Sequence, residues 1–189
     1  MMKKDIGPVI ALYPTPTTII GTVIKGKVNW LIVAHVGILG HDAILLSSHK
    51  THYTNQGIKE NRTVSVNLVS EDILAKADYV GSVSGESVDK SHVFDYHMGQ
   101  LKNVPIIDES PLTMECEVVD IYDSEHHDNF IVKVVHTHVE DKMLDGTGKI
   151  DYEKLKPILF EMPTGAYLKT GAIAAKCWDI SKSYKSKGE

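Results

Sequence analysis

The sequence contains few of the residues that mark a disulfide scaffold or a nucleic-acid-binding protein. Only two of the 189 residues are cysteines, and Cys116 and Cys177 have neither the number nor the spacing of a disulfide framework or a zinc site. Arg62 is the single arginine among 20 basic residues, and the formal net charge is −5. Because basic patches supply most nucleic-acid affinity, no nucleic-acid partner is expected. Any anion site must use lysine, hydroxyl groups and backbone amides.

Long hydrophobic runs are also missing. The longest mostly apolar stretch, residues 30–40, is too short to cross a bilayer and contains His35, so no membrane span is expected. The first residues lack the apolar run and the cleavage site of a secretory signal, and together with the few cysteines this predicts a cytoplasmic protein. Without repeats or low-complexity linkers, the chain is expected to form one domain, 1–180, followed by a polar tail, 181–189.

Short β-branched segments separated by proline and glycine dominate the pattern, which is typical of strands joined by turns. Predicted strands cover residues 9–13, 17–25, 30–34, 43–47, 63–68, 112–123 and 129–141, and the last two form a hairpin with a solvated tip at 124–128. Short helices are predicted after Thr51, from Ser70 as N-cap, and over 152–156. Few helices and no alternating βαβ rhythm predict a mainly β chain that forms a closed or partly closed antiparallel barrel.

The segment from Ser47 to Thr54 has the composition of an anion site. It holds Ser47, Ser48, Thr51 and Thr54 together with Lys50, and it leads from an apolar strand into a predicted helix. Hydroxyl donors, one cation and the free amides of a helix start can hold a phosphate without arginine. A hydroxyl-rich strand end that merely caps the helix is the structural alternative.

The segment from Asn29 to His41 could contact a flat heterocycle. Ala34, Gly37 and Gly40 allow a ring to approach the backbone closely, while Asn29 and His35 offer hydrogen bonds to its rim. The structural alternative is a buried strand with its turn, in which His35 is a core or interface histidine. Residues 81–111 show no strong periodicity, and so long a stretch suggests a cover over a site or a dimer arm.

These segments, in this order, resemble the flavin reductase-like, FMN-binding split-barrel family, and most of all its flavoredoxin-type branch. The resemblance rests on residues 29–37, His41-Asp42, the hydroxyl-rich segment ending at Tyr53-Thr54, and Val66-Asn67-Leu68. It continues through Ser84-Gly85, Val88-Asp89-Lys90, His138-Val139, Pro157 to Phe160, Gly165-Ala166-Tyr167 and Gly171. Many members have tryptophan in place of His35 and arginine in place of His49 or Lys50, so ring stacking and phosphate affinity could differ here.

The resemblance implies a Greek-key split barrel that binds FMN at the interface of a homodimer. It further implies hydride transfer from NADH or NADPH to the flavin, and electron transfer onward to free flavin, iron or a partner protein. On this basis the phosphate would contact Ser47, Ser48, Lys50 and Thr54, and the ring would meet Asn29, Ala34 and His35. The remaining cofactor contacts that it implies are Val36, Asn67, Lys90, His138 and Phe160.

Two of these residues have plain alternatives. Lys90 could be an exposed lysine in a surface turn, and Phe160 could be an ordinary core aromatic. His136 and His138 lie two residues apart on a predicted strand, a spacing that could hold a metal, but the sequence offers no third or fourth ligand and no metal is expected. Residues 145–149 lack the spacing of a phosphate loop, and no Rossmann fingerprint is present, so a nicotinamide would bind against the flavin.

Three functions therefore compete. The first is an FMN-dependent oxidoreductase in which the protein supplies alignment and electrostatics while the cofactor supplies the chemistry. The second is a non-enzymatic FMN electron carrier that receives its electrons from a partner protein. The third is a flavin-free ligand-binding or assembly module, which could bind haem through His136 or His138. The odd positions of the same strand, Ile131, Val135 and Val139, are also apolar, which fits the dimer that the resemblance implies.

Overall fold

The computed structural model describes residues 2–184, and strands make up most of its regular structure. The strands are β1 (Thr15–Pro16), β2 (Thr18–Ile24), β3 (Lys27–Val33), β4 (Val36–Ile38), β5 (Ala43–His49), β6 (Thr63–Leu68), β7 (Tyr96–Met98), β8 (Pro105–Ile107), β9 (Leu112–Asp123), β10 (His127–Val139), β11 (Leu159–Glu161) and β12 (Ala166–Leu168). The helices are α1 (Thr54–Asn61), α2 (Leu74–Ser82) and α3 (Tyr152–Leu155), with single 3₁₀ turns at Asp141–Met143 and Ile180–Ser183. Of the predicted polar tail, residues 185–189 lie outside the described part.

One curled antiparallel sheet of seven strands forms the body, in the order β3-β2-β6-β9-β10-β5-β4. The β2–β3 turn contains Lys25 and Gly26, both at positive φ, as the tight hairpin turn requires. The long β9–β10 hairpin changes register between Ile131 and Val132 and again between Val134 and His136, and such bulges increase the bend of a sheet. This half-barrel confirms the predicted mainly β, antiparallel Greek-key split barrel.

Both faces of the sheet are covered at β2 and β3, which explains the nearly continuous apolar character of these two strands. The adjacent residues Ile19 and Ile20 point to opposite faces, and both are buried. Ile20 belongs to a core inside the half-barrel, with Leu31, Val66 and Phe130 among its members. Ile19 belongs to a second core under α2 and the following loops, which includes Trp30, Val80, Phe94 and Ile107. Of the two strands predicted to line the core, 30–34 does so through Leu31 and Val33, and 43–47 does so through Leu46 with the partly buried Ile44.

The weakly patterned stretch at 81–111 contains the short β7–β8 hairpin. Phe94, Val104 and Ile107 from this stretch are buried, so it packs on the body of the domain. α2 approaches β3 so closely that a Cβ on Gly81 would lie 2.2 Å from Ile32 Cγ2. The first part of the stretch thus covers one end of the sheet, where it borders a pocket described below.

Several predicted boundaries are wrong. Residues 9–13 form no strand, and Val9, Ile10 and Leu12 are exposed; β-branched composition alone does not make a strand without a neighbour to pair with. α2 begins at Leu74 rather than after Ser70, because residues 71–73 form a turn that buries Ile73. The predicted turn at 37–42 contains part of β4, and β10 runs over 127–139 rather than 129–141.

Across residues 2–184, no helix has the length and apolar character needed to cross a membrane.

Candidate functional site

A pocket of about 290 Å³ opens beside the ends of β3 and β5, the start of β10, and strands β11 and β12. Its lining combines aromatic and aliphatic side chains with hydroxyls and imidazoles; it consists of Thr17, Ile32, Val33, Ala34, His35, Ser47, Ser48, His49, His52, His127, Phe160, Met162 and Tyr167. We refer to it as the histidine pocket. It brings together five of the predicted cofactor contacts: Ala34, His35, Ser47, Ser48 and Phe160.

Four histidines in this pocket come from three different parts of the chain. His49 ends β5 and pairs in register with His127 at the start of β10, and their ring centroids are 5.3 Å apart. The ring of His35 lies 6.4 Å from that of His127, and the ring of His52 lies 6.3 Å from that of His49. Among the described residues, no aspartate or glutamate lines the pocket. Protonation of one imidazole therefore opposes protonation of the next.

The electrostatic surroundings lower the proton affinity of two of these imidazoles. Burial lowers the pKa of His52 from its ordinary value, and His49, Lys90 and His127 add repulsion. Burial likewise lowers the pKa of His127, with added repulsion from His49, His35 and His126. At neutral pH these two rings are therefore mainly uncharged, and each has one nitrogen free to accept a hydrogen bond.

Thr17 and Tyr167 complete the polar part of the histidine pocket. Thr17 is fully buried, and its Oγ1 has no hydrogen-bond partner among the described residues. A buried hydroxyl without a partner costs about 1–3 kcal/mol, so Thr17 is a group that a bound molecule could satisfy. Tyr167 Oη donates to Asp78 over 2.8 Å, and burial with that bond raises the pKa of Tyr167 to about 12.

A second pocket of about 240 Å³ adjoins the first, and His52 lines both. It is rich in hydroxyl groups and is lined by Leu31, Thr51, His52, Tyr53, Thr54, Gly81, Ser82, Val83, Ser84, Gly85 and Lys90. We refer to it as the lysine pocket. It unites Thr54 from the start of α1 with Lys90 from the loop after α2, two predicted cofactor contacts that lie 36 positions apart in sequence.

Lys90 is the positive charge of this pocket. It is 2% exposed, so the alternative of an exposed surface lysine is wrong. Its Nζ donates to the carbonyl oxygens of Val80 at 2.8 Å and Val83 at 3.1 Å, at the end of α2. An ammonium has three donors, so one remains. No carboxylate of the described chain forms an ion pair with it, and burial lowers the pKa of Lys90 to about 8.

Asn29 gives Thr54 a defined direction. Asn29 Nδ2 donates to Thr54 Oγ1 over 2.7 Å, and both residues are buried. Since this bond makes Thr54 Oγ1 an acceptor, the hydroxyl hydrogen of Thr54 stays available for an acceptor in the lysine pocket. Gly85 makes this arrangement possible, because a Cβ at that position would lie only 1.9 Å from Asn29 Oδ1.

Ser48 differs from Thr54 in this respect. Asn55 Nδ2 donates to the His49 carbonyl and to Asp128 Oδ2, which can only accept, so Asn55 Oδ1 must face the Ser48 hydroxyl. Ser48 Oγ accordingly donates to Asn55 Oδ1 over 2.7 Å, and its hydrogen is not free for a phosphate. Lys59 completes the network with an ion pair to Asp128 at 2.8 Å. The Ser48 side chain joins β5 to α1 and β10.

Two of the predicted contacts point elsewhere. Lys50 Nζ pairs with Asp123 Oδ1 at 2.5 Å across the β9–β10 hairpin and lines neither pocket, so the predicted phosphate cation is not placed at the lysine pocket. Val36 lines a separate, mostly apolar cavity of about 750 Å³ between β4, β5, β9 and residues 150–157. The adjacent residue His35, which lies between β3 and β4, lines the histidine pocket instead.

Asn67 and His138 also lie outside both pockets. Asn67 is fully buried; its Nδ2 donates to the Ile19 carbonyl and to Ser65 Oγ, and its Oδ1 accepts from the Ile107 amide and from Thr113 Oγ1. Its amide therefore has no free group to offer a cofactor. His138 Nε2 lies 2.6 Å from the buried Oε1 of Glu115, so it contacts the body of the sheet. The structure does not support cofactor contacts from either residue.

Sequence reasoning missed His127, which it interpreted as part of a solvated hairpin tip. His126 does point outward, but His127 is the first residue of β10 and lines the histidine pocket. The available signal was the start of β10. Moving it back by two residues brings His127 into the strand, where it pairs with His49 of β5. Thr17 and His52 gave no such signal, because their positions depend on how distant strands curl.

Within residues 2–184, no group of three or more histidine, cysteine, aspartate or glutamate side chains is placed to hold a metal ion. The four imidazoles therefore form a polar surface rather than a ligand set. The histidine pocket offers an apolar surface with hydrogen-bonding groups around it. The smaller lysine pocket beside it offers a buried cation and hydroxyl donors.

Comparisons with known proteins agree on one family. The model of the flavin reductase like domain matches residues 10–159. The solved structure of flavoredoxin from Methanosarcina acetivorans is 34% identical, with a TM-score of 0.92 over 97% of this chain and 99% of that one. Flavoredoxin of Desulfovibrio vulgaris (Miyazaki F) is 28% identical, with a TM-score of 0.88 over 95% of this chain and 100% of that one.

A more distant structure, an FMN-binding protein from Thermus thermophilus with bound 1-cyclohex-2-enone, shares 20% identity at a TM-score of 0.77 and shows the common fold. It spans 93% of this chain and 98% of its own. The comparison with curated proteins found no match. The family match over most of the chain and the 34% identity to a flavoredoxin of the same length lead to one conclusion: this chain belongs to the flavin reductase-like family.

Proposed function

We propose that this protein binds FMN and transfers electrons through it. The observation that carries the proposal is the buried ammonium of Lys90, which has no carboxylate partner in the described chain and faces a pocket of five hydroxyl-bearing residues. Burying an unpaired charge is costly, and a phosphate group would compensate it. The 34% identical flavoredoxin makes a flavin phosphate the natural candidate.

The two pockets fit the two ends of FMN. The phosphate would bind in the lysine pocket, where Lys90 supplies charge and the Thr54 hydroxyl supplies a directed hydrogen bond. The ring would lie in the adjoining histidine pocket, against Ala34 and Phe160, with His35 and Ser47 near its edge. When bound, FMN supplies the redox chemistry, because it accepts a hydride or single electrons. The protein's own residues bind it, orient it and shield one side of it from water.

The source of the electrons defines two versions of this function. In the first, an oxidoreductase, NADH or NADPH binds briefly in the open part of the histidine pocket and reduces the flavin, which passes electrons to free flavin, iron or another acceptor. In the second, an electron carrier, a redox partner protein reduces the flavin; the similarity to two proteins named flavoredoxins favours this version. Stopped-flow mixing of the FMN-loaded protein with NADH and NADPH separates them. Bleaching of the 450 nm band no faster than that of free FMN excludes the first.

A homodimer is part of the proposal. β10 carries three apolar residues that are not fully buried: Val135 is exposed, and Ile131 and Val139 are partly buried, although the bulge between Val134 and His136 puts Ile131 and Val139 on opposite faces. The apolar cavity of about 750 Å³ that Val36 lines opens near the exposed Ile38. A second copy covering these surfaces would remove apolar area from water. Light scattering of the purified protein tests this, and a monomer at micromolar concentration would contradict it.

The phosphate site is tested by comparing FMN with riboflavin, which lacks the phosphate. Lys90→Met should weaken FMN binding by at least tenfold, because a hydrogen bond to a charged group contributes about 1.5–3 kcal/mol. Riboflavin binding should change little. Lys50→Met serves as the matched control, because Lys50 pairs with Asp123 and lines neither pocket. Equal loss of FMN and riboflavin affinity in Lys90→Met would show a structural role for Lys90 and contradict the assignment.

A further inference from the structure

We infer that the histidine pocket contains an anion subsite, and that the electron acceptor it admits is a flat acidic molecule, such as an aromatic carboxylate whose ring also carries a reducible group. This inference rests on the proposed function, since it concerns the molecule that meets FMN. It adds a substrate class and a pH dependence. Neither follows from FMN binding, because the oxidised flavin ring is uncharged and does not need four histidines.

The composition of the pocket carries the first step. His35, His49, His52 and His127 gather with ring separations of 5.3–6.4 Å, and no acidic residue of the described chain joins them in the lining. A bound anion would supply the negative charge that the lining lacks, and it would favour the protonated form of the imidazoles around it.

The second step is the unsatisfied hydroxyl of Thr17. Its Oγ1 is buried without a partner and belongs to the same pocket, so it can donate to an anionic oxygen that enters. Nearby, the rings of Phe160 and Tyr167 lie 5.5 Å apart between centroids and are tilted by 50°, and Met162 adds a polarisable surface. Aromatic and thioether groups favour a flat ring. The pocket therefore suits a molecule with an aromatic body and an acidic end.

The charged groups around the imidazoles set the direction of the pH effect. Lys90 faces His52 from the loop after α2, and His126 faces His127 from the hairpin tip. Tyr13 Oη lies 2.9 Å from His35 Nε2, and the Tyr167 hydroxyl is engaged by Asp78. The remaining pair at the hairpin, Lys50 with Asp123, is internally neutral. An anion must therefore take up at least one proton with it, and it should bind more tightly as the pH falls below neutral.

The redox balance needs no additional reactant. The reduced flavin loses two electrons and two protons, the acceptor gains them, and oxidised FMN remains for the next reduction. The electrons come from the nicotinamide or partner protein of the proposed function.

Benzoate and benzamide provide a matched pair of probes, since they have the same shape and differ in charge. Titration of the FMN-loaded protein, followed by the flavin absorption and by the histidine ring protons in NMR spectra, should show benzoate binding at least tenfold tighter at pH 5.5 than at pH 8. Benzamide affinity should change less than twofold. The double variant His49→Gln/His127→Gln should lose most of the pH dependence, while His126→Gln, at the exposed hairpin tip, should retain it.

Equal affinities for the two probes, or an unchanged pH dependence in the double variant, would overturn the inference. Release of FMN by benzoate would overturn it as well, because the anion would then occupy the flavin's place. The proposed function fails in a different way, through absence of FMN binding before any probe is added. The two failures are therefore distinguishable in the same set of samples.

Discussion

Asn29 Nδ2 donates a 2.7 Å hydrogen bond to Thr54 Oγ1, and thereby fixes which way the Thr54 hydroxyl can point. The two residues belong to β3 and α1, and both are buried beside the lysine pocket. Because Thr54 Oγ1 already accepts from Asn29, the hydroxyl hydrogen of Thr54 is free to donate toward the site assigned to the phosphate. The polarity of this hydroxyl thus follows from a residue that need not touch the phosphate at all.

The first prediction concerns this direction. Thr54→Val keeps the shape of the side chain but removes the donor, so FMN binding should weaken by about 1.5–3 kcal/mol, the usual contribution of a hydrogen bond to a charged group. Thr54→Ser should retain most of the affinity, because the hydroxyl remains. Titration of FMN against the flavin-free protein, with quenching of flavin fluorescence as the signal, measures both. Equal affinities of the valine and serine variants would remove Thr54 from the phosphate site.

The second prediction is the pH dependence of FMN affinity. The pKa of Lys90 is about 8 without a ligand, and a phosphate would raise it, so FMN binding above pH 8 must take up a proton. Affinity should therefore be constant between pH 6.5 and 7.5 and fall above pH 8, approaching tenfold per pH unit. In Lys90→Met the affinity should be lower and flat over the same range. A flat profile in the wild-type protein would mean that Lys90 does not face the phosphate.

The contrast between Lys90 and Lys50 shows where sequence reasoning ended. Composition and spacing identified a hydroxyl-rich segment that needs a cation, and Thr54 does lie in the lysine pocket. They could not decide between two lysines, because the choice depends on burial: Lys90 is enclosed under the end of α2, while Lys50 reaches Asp123 across a hairpin. Lys50, which is nearer to Thr54 in the sequence, lies outside the lysine pocket, whereas the more distant Lys90 lines it.

The histidines show the same limit for strands. The bounds of β6 and β9 were predicted to the residue, since alternation and flanking turn residues determine them locally. On β10, however, the histidine that lines the histidine pocket is His127 rather than His138. Both residues lie on β10, and only the register with β5 and the two bulges along β10 place one at the pocket and the other against Glu115. Pairing between distant strands carries that information, and local periodicity does not.

The third prediction uses Gly85. An alanine there would place its Cβ 1.9 Å from Asn29 Oδ1, so Asn29 or the loop must move and the bond to Thr54 must lengthen or break. Gly85→Ala should weaken FMN binding at least tenfold. It should also lower the free energy of unfolding by about 1–3 kcal/mol, the usual cost of overpacking. Gly146→Ala, where a Cβ would meet nothing within 4 Å, should change neither quantity. Urea denaturation and FMN titration measure the two effects.

The last prediction separates stability from cofactor binding. Glu115 is fully buried on β9, where it accepts from the amides of Gln100 at 3.1 Å and Leu101 at 2.8 Å and contacts His138. Burial acts to raise the pKa of Glu115, but the bonds from Leu101, His138 and Gln100 outweigh it, and the pKa lies below its ordinary value. Its stabilising effect is therefore present above the unfolded pKa of about 4.3 and is lost as the pH falls through the folded value.

Glu115→Gln should lower the free energy of unfolding at pH 7 by about 1–3 kcal/mol, because an amide group must then face backbone N–H donors that the carboxylate satisfied. The difference from wild type should shrink as the pH is lowered below 4, where the wild-type carboxylate itself becomes protonated. Glu117→Gln, an exposed position on the same strand, is the control and should stay within about 0.5 kcal/mol of wild type. FMN affinity should be unchanged in both variants, since Glu115 lines neither pocket. A loss of FMN binding in Glu115→Gln at unchanged stability would instead return His138, through its contact with Glu115, to the cofactor site.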